Sequence, residues 1–303
     1  MVPGAGAAFR THQRSARGNC RIWRHRREGR KESRLKARVL TAVVLIASLV
    51  AALFWLPRAA WTVVVAVILA VGGWEWSGLT GLRPLARVVY AGALAALGLW
   101  ITNSVDAASA KLIAYGAGTL FWLVLAPLWL WERPRFTTPA VALFAGALAL
   151  VPAFVASVDL GGARPSLLLA IMGLVWISDT FAYLAGIRFG RHKLAAAISP
   201  GKTWEGLYGA LVAVGIYAVG WLVIAGQSQP AAFKRAALGP MWFVIVLMLL
   251  ALAGVLGDLL ESQMKRQAGV KDSGALLPGH GGVLDRIDAL LPVLPLAALV
   301  FLQ

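Results

Sequence analysis

Charge is scarce in this chain. Only 14% of its 303 residues are Asp, Glu, Lys or Arg, against about a quarter in a typical soluble domain. Together with 59% hydrophobic residues and a mean hydropathy of +0.75, that shortage excludes an ordinary water-soluble globular protein. Acids are scarcest, 13 against 29 basic groups, so a carboxylate inside an apolar stretch asks for a reason. Cysteine is almost missing. Cys20 stands alone, and one thiol builds neither a disulfide framework nor a thiolate metal site. No internal repeat is visible. No cleavable signal peptide is expected either, because the first apolar run begins near Val39, after a long basic stretch.

What the chain does have is apolar runs long enough to cross a membrane, which takes roughly 18 or more residues. Nine segments can be drawn, roughly 39–56, 59–73, 88–102, 111–131, 139–157, 166–186, 206–226, 238–260 and 283–302. The second is short and the Pro57 break is tight, so eight is the alternative count. The expected fold is all-α: a polytopic transmembrane helical bundle of about nine spans, with cytoplasmic polar loops forming the site. Abundant Ala and Gly would let helix backbones approach closely in lipid. Trp55, Trp61, Trp74, Trp76, Trp129 and Trp131 fall near segment ends, where aromatic anchors at the head-group level are the expected role.

The net charge of +16 suggests nucleic acid until it is mapped. Residues 1–38 hold 12 of the 29 Lys and Arg, a basic tail that reads as disordered, cytoplasmic and dispensable, ahead of a membrane domain over 39–303. Positive charge before a first span is the usual mark of a cytoplasmic N-terminus and also attracts anionic lipid. A transit peptide is the other reading. No nucleic-acid partner is expected, since no reading module accompanies the tail. With nine spans and the N-terminus inside, 24 of the 29 cations fall on the cytoplasmic side and 5 outside, Lys234 and Arg235 being the exceptions to the rule. The polar loops 187–205 and 261–282 then share the cytoplasmic side.

Three clusters could carry chemistry: Ser178-Asp179-Thr180 with Tyr183; Ser199-Pro200-Gly201-Lys202-Thr203-Trp204-Glu205-Gly206; and Asp258 through Asp288. A carboxylate at mid-bilayer costs about 2.5–3.5 kcal/mol on insertion scales. Asp179 and Asp258 both accept such surroundings beside the same basic loops, which favours metal or substrate contact over an idle interfacial acid. Asp258 and Ser262, four apart, share a helix face, as do Asp285 and Asp288, three apart. Two or three of Asp258, Asp285 and Asp288 suffice for Mg²⁺, which prefers oxygen ligands and is usually completed by water and substrate phosphates. Asp272 could instead be a loop ion pair, and Glu261 a solvated charge at a helix end. Pro278-Gly279-His280-Gly281-Gly282 is too rich in glycine for helix and suits close approach of N–H groups to phosphate. Cations, acids and glycines of this kind point to a metal-assisted reaction on phosphates. Gly201-Lys202-Thr203 imitates the end of a P-loop, but the glycine required five positions earlier is Ala196, and no strand is expected before it.

One stretch carries a close family resemblance. Ser262-x-Met264-Lys265-Arg266, Lys271-Asp272-x-Gly274 and Pro278-x-His280-Gly281-Gly282-Val283-x-Asp285-Arg286-Ile287-Asp288 resemble the full signature of phosphatidate cytidylyltransferases (CDP-diacylglycerol synthases). Asp179 with its neighbours, His192 to Ala195, Ser199 to Gly206, Gly257-Asp258 and Trp74-Glu75-Trp76 resemble further family segments, so the likeness covers roughly 39–303. One departure is Ala196-Ala197, where family members commonly carry Pro and a basic residue; no phosphate contact is expected there. The resemblance implies transfer of a cytidylyl group from CTP to phosphatidic acid, releasing pyrophosphate. It implies Mg²⁺ on Asp258, Asp285 and Asp288, with a second cation left open. Lys202, Lys265, Arg266, Lys271 and Arg286 would clamp phosphates. Asp179, Ser199, Thr203 and Asp272 would line the pocket, and His280, Gly281 and Gly282 would close over the nucleotide. A bacterial cytoplasmic (inner) membrane location and a homodimer are also implied. The competing classes are a CTP-dependent lipid-alcohol kinase and a secondary transporter of an anionic substrate, the latter disfavoured because the polar clusters gather on one side.

Overall fold

The computed structural model describes residues 43–104, 106–132, 139–225, 239–276 and 281–302. The basic tail, Arg133, Arg135, Lys234, Arg235 and His280 lie outside the described residues. The chain forms two compact units, 1–51 and 52–303. Of the first, 43–51 are described, as the beginning of helix α1 (Val43–Trp55).

The second unit runs α2 (Arg58–Leu79), α3 (Pro84–Asn103) and α4 (Ala107–Leu120), which passes through a π-helical turn (Phe121–Leu125) into α5 (Ala126–Glu132). Then come α6 (Pro139–Ala163), α7 (Pro165–Phe189), strands β1 (Lys193–Ala195) and β2 (Ser199–Thr203), α8 (Trp204–Ala225), α9 (Pro240–Gln267), α10 (Leu284–Ile287) and α11 (Leu290–Phe301). Proline opens α3, α6, α7 and α9, a position where its fixed φ fits and its missing N–H is not needed.

Among the described residues seven helices are long and apolar enough to cross a membrane: α2, α3, α4 with α5, α6, α7, α8 and α9. Among the described residues each of the nine apolar segments contains helix, but α1 and α11 are shorter. Length and composition therefore support seven spans among the described residues. The all-α architecture has one small addition. Strands β1 and β2 pair antiparallel, Lys193 opposite Thr203 and Ala195 opposite Ser199, with an irregular register between. This corrects the expectation of no strand before Gly201-Lys202-Thr203, which itself lies on β2; the missing glycine alone still excludes a P-loop.

Helix α6 is the most buried span and packs on α2, α3, α4, α7 and α11. Its small residues give it that place. An added Cβ at Gly146 would strike the Trp76 indole nitrogen, and one at Gly161 would strike that of Trp61. Both indoles instead donate to α6 carbonyls, Trp76 to Ala142 at 2.8 Å and Trp61 to Ser157 at 3.0 Å. Trp61 and Trp76 are thus core residues (4% and 1% exposed), whereas Trp55 and Trp131 are exposed at 83% and 84%, as anchors should be. A buried indole satisfies its one donor inside the bundle, and that outweighs a place at the interface.

The bundle has two chemically different ends. At one, Arg58, Lys111 and Tyr115 converge on Asp159, at 3.2, 2.8 and 2.7 Å, and Arg164 donates to the Phe301 carbonyl at 3.0 Å. The other end, about 25 Å along α2 from Arg58 to Glu75 at 1.5 Å per residue, gathers the polar loops.

Candidate active site

The site is built where the C-terminal part of α9 meets the segment entering α11. An added Cβ at Gly257 would strike the Asp288 carbonyl and come within 2.8 Å of Pro292. Glycine there lets the two chains touch, which brings the next residue, Asp258, into the field of Asp288. Asp258 is bound on both oxygens: Lys202 lies 2.7 Å from Oδ2, and Ser262 donates to Oδ1 at 3.2 Å. The shared helix face of Asp258 and Ser262 is therefore real. Asp288 accepts from the Ala289 N–H at 2.8 Å. Asp179, ten residues before the end of α7, is exposed and interacts through charge with Asp258, Lys202 and Asp288. Three acids from three segments face one another here with Lys202 among them.

A second cluster adjoins the first. Lys265 lies 2.6 Å from Glu261, one turn back on α9, and 2.6 Å from Asp285 Oδ1. The other Asp285 oxygen accepts from the Ser273 N–H and hydroxyl, both at 3.0 Å, and from the Gly282 N–H at 2.8 Å. Burial alone would raise the Asp285 carboxyl, but the Lys265 ammonium and the Gly282 N–H outweigh it and hold the group down at about 2. Asp285 thus spends both oxygens on protein donors, while Asp288, three residues on, keeps different partners. Glu261 is 1% exposed, which corrects its reading as a solvated charge: it is buried against the half-buried Lys265, one helical turn away.

The β1–β2 hairpin carries Ser199, half-buried, and Lys202 towards α9. Thr203, buried, accepts the Gly206 N–H on its hydroxyl at 3.1 Å, a cap that fixes where α8 begins. Glu205 in the first turn of α8 ties His192 by its backbone N–H and by Nδ1 at 2.6 Å, fastening the hairpin's entry to that helix. Arg266, Lys271, Asp272 and Arg286 are exposed around the rim. Gly281 has φ +83°, a left-handed backbone that only glycine adopts freely, and Gly282 is buried. His280 lies outside the described residues.

Two residues assigned no site role from sequence belong to this end, Glu75 of the Trp74-Glu75-Trp76 segment and Ser273. Glu75, on α2, is 3% exposed and accepts from Ser273 Oγ, Val283 N and Leu284 N at 3.2, 3.1 and 2.7 Å. The signal was available: it is an acid on an apolar helix, the argument that selected Asp179 and Asp258. Ser273 occupies the unspecified position of Lys271-Asp272-x-Gly274, and nothing in its local sequence marks it. Among the described residues no three His, Cys, Asp or Glu side chains stand close enough to hold a metal by themselves.

Residues 36–303 match the family model described as "Cytidylyltransferase family". A phosphatidate cytidylyltransferase of Pseudomonas aeruginosa is 37% identical over 271 residues, covering 87% of this chain and 96% of the relative. One of Haemophilus influenzae is 35% identical over 285 residues, covering 86% and 96%. A third, of Staphylococcus aureus, is 44% identical over 131 residues, 43% of this chain and 46% of its own. With its matched region running from before α1 to its last residue, the chain belongs to the cytidylyltransferase family.

Proposed function

We propose that this chain joins CTP and phosphatidic acid to give CDP-diacylglycerol and pyrophosphate, working at the cytoplasmic face of a bacterial inner membrane. An oxygen of the lipid phosphate attacks the α-phosphorus of CTP. The bond from that phosphorus to its bridging oxygen breaks, and pyrophosphate leaves with the electron pair. No general base is needed, because a phosphate monoester is already ionised near neutral pH. The obstacle is repulsion between two anions, so catalysis rests on positioning and charge stabilisation.

One observation supports this reading above the others. Lys202, Asp258, Lys265, Asp285 and Asp288, with Asp179 beside them, come from three separated stretches of chain and meet at one end of an apolar bundle. Lys202 and Lys265 face the site as phosphate clamps, with Arg266, Lys271 and Arg286 at the rim for the incoming triphosphate and head group. Ser199, Thr203, Asp179 and Asp272 line the approach, and Gly281 and Gly282 offer close backbone contact. Asp258 and Asp288 suit a divalent ion. Asp258 already holds a cation, the Lys202 ammonium, and Asp288 lies among like charges that a cation would relieve. Two carboxylates with water and phosphate oxygens are what Mg²⁺ usually takes, and when bound it would neutralise charge developing on the phosphates. Asp285 we assign to holding Lys265, since its other oxygen already accepts from three protein donors, whereas Asp258 has only Lys202 and Ser262. The homodimer rests on family resemblance alone.

Purified protein in detergent, given labelled CTP, phosphatidic acid and Mg²⁺, should yield labelled CDP-diacylglycerol and pyrophosphate and stop on exhaustive chelation. CDP with a phosphorylated lipid would mean a kinase, no turnover would favour a transporter, and full activity after chelation would remove the metal from the scheme.

A further inference from the structure

We infer that Glu75 is a positioning residue for the nucleotide, acting from α2 through the loop that ends in α10. The inference rests on the function proposed above. Glu75 sits in an apolar helix, where a carboxylate is costly unless its oxygens are satisfied. Three neutral donors do so, and all come from a loop about 200 positions away: the Ser273 hydroxyl and the N–H groups of Val283 and Leu284, at separations of 198, 208 and 209 residues. The described stretches on either side of this loop fit closely around the carboxylate. An added Cβ at Gly274 would strike Glu75 Oε1, and one at Gly282 would strike the Ser273 hydroxyl and crowd Glu75 Oε2 at 2.6 Å.

The same loop atoms hold Asp285. The Ser273 hydroxyl lies 3.2 Å from Glu75 and 3.0 Å from Asp285, so its single proton is shared between them. The N–H groups of 282, 283 and 284 are divided likewise, the first going to Asp285 and the next two to Glu75. Asp285 in turn takes Lys265 at 2.6 Å. Lys265 is held between Glu261 on its own helix and Asp285, and Glu75 acts on the second of these through the loop without touching substrate itself. Trp76, the next residue, is pinned to Ala142 on the central helix, so the anchor does not drift with the loop.

A residue that merely helped the chain fold would, when changed, reduce the amount of active enzyme: kcat would fall and both KM values would stay. A residue that aims a phosphate clamp should move KM for CTP and leave KM for phosphatidic acid alone. Glu75→Gln keeps the size but replaces one acceptor oxygen by an N–H donor facing other donors. We expect its KM for CTP to rise about tenfold, equivalent to about 1.4 kcal/mol, with KM for phosphatidic acid unchanged. Ser273→Ala should shift KM for CTP in the same direction by less, and Glu75→Asp, which keeps both oxygens, should recover part of the loss. If Glu75→Gln does not fold, Ser273→Ala decides: a selective rise in KM for CTP supports the inference and an unmoved KM overturns it. Equal rises in both KM values overturn it as well. Wild-type protein that makes no CDP-diacylglycerol overturns the function and this inference together, whereas wild-type turnover with unshifted variants overturns the inference alone.

Discussion

Lys265 has two carboxylates for one ammonium, and Asp258 has an ammonium and a hydroxyl for one carboxylate. Those arrangements give the site's acids different work, which substitution should separate. In Asp285→Asn one side of the amide must turn its NH₂ towards either Lys265 or the donors of Ser273 and Gly282. Breaking this part-buried pair costs less than the ~3–5 kcal/mol of a fully buried one, but the variant should still unfold at lower temperature in detergent and lose product formation at every Mg²⁺ concentration. Asp258→Asn should fold normally and need about tenfold more Mg²⁺ for half-maximal activity, a shift of about 1.4 kcal/mol. Mg²⁺ titrations of the two variants check the assignment, and the reverse pattern would return Asp285 to the metal. At this scale much was legible. The cost of an acid in lipid marked Asp179 and Asp258 from sequence, and the same cost marks Glu75. Ser273 was not legible, because its importance lies wholly in partners 198 residues before and 12 residues after it.

Helices α7 and α8 hold Asp179 and the end of the Lys202 hairpin at their touching faces, and they touch closely because small residues meet. An added Cβ at Gly209 would strike the Ala185 Cβ, and one at Gly206 would come within 2.7 Å of the Ala182 carbonyl. In lipid no hydrophobic drive holds helices together, so packing of this kind does. Gly209→Val should force the pair apart, with an overpacking cost of about 1–3 kcal/mol, and lower thermal stability and activity together. Gly220→Val on the same helix, where an added Cβ has no neighbour within 4 Å, should leave both unchanged. Thermal unfolding and turnover of the two variants test this, and a harmless Gly209→Val would show that the contact is slack. Composition foretold close packing but not its partners, which depend on the rotation of each helix about its axis. The hairpin was missed for another reason: strands of 3 and 5 residues in a polar loop show no alternation long enough to read.

For the molecule as a whole, charge and geometry give independent accounts of sidedness. Counting cations put Arg58, Lys111 and Arg164 on one side and Lys202, Lys265 and Arg266 on the other. The folded chain sorts them the same way, the first three around Asp159 and the Phe301 carbonyl, Lys202 and Lys265 around Asp258 and Asp285. Segment boundaries read from hydropathy fell on helices because a bilayer imposes length and polarity directly; the number of full spans was less legible, since α1 and α11 are apolar but short. Which end faces the cytoplasm follows only from the charge bias, and it can be tested with the lone cysteine removed. In a Cys20→Ser background, Val270→Cys lies in the loop of the polar end and Asp106→Cys just before α4 at the opposite end, both exposed. A membrane-impermeant maleimide added to intact cells should label position 106 and spare 270, while inverted vesicles should give the converse. The opposite outcome reverses the orientation and leaves the site on the side where nucleotide is absent, and labelling of both positions from one side breaks the two-ended bundle on which the site depends.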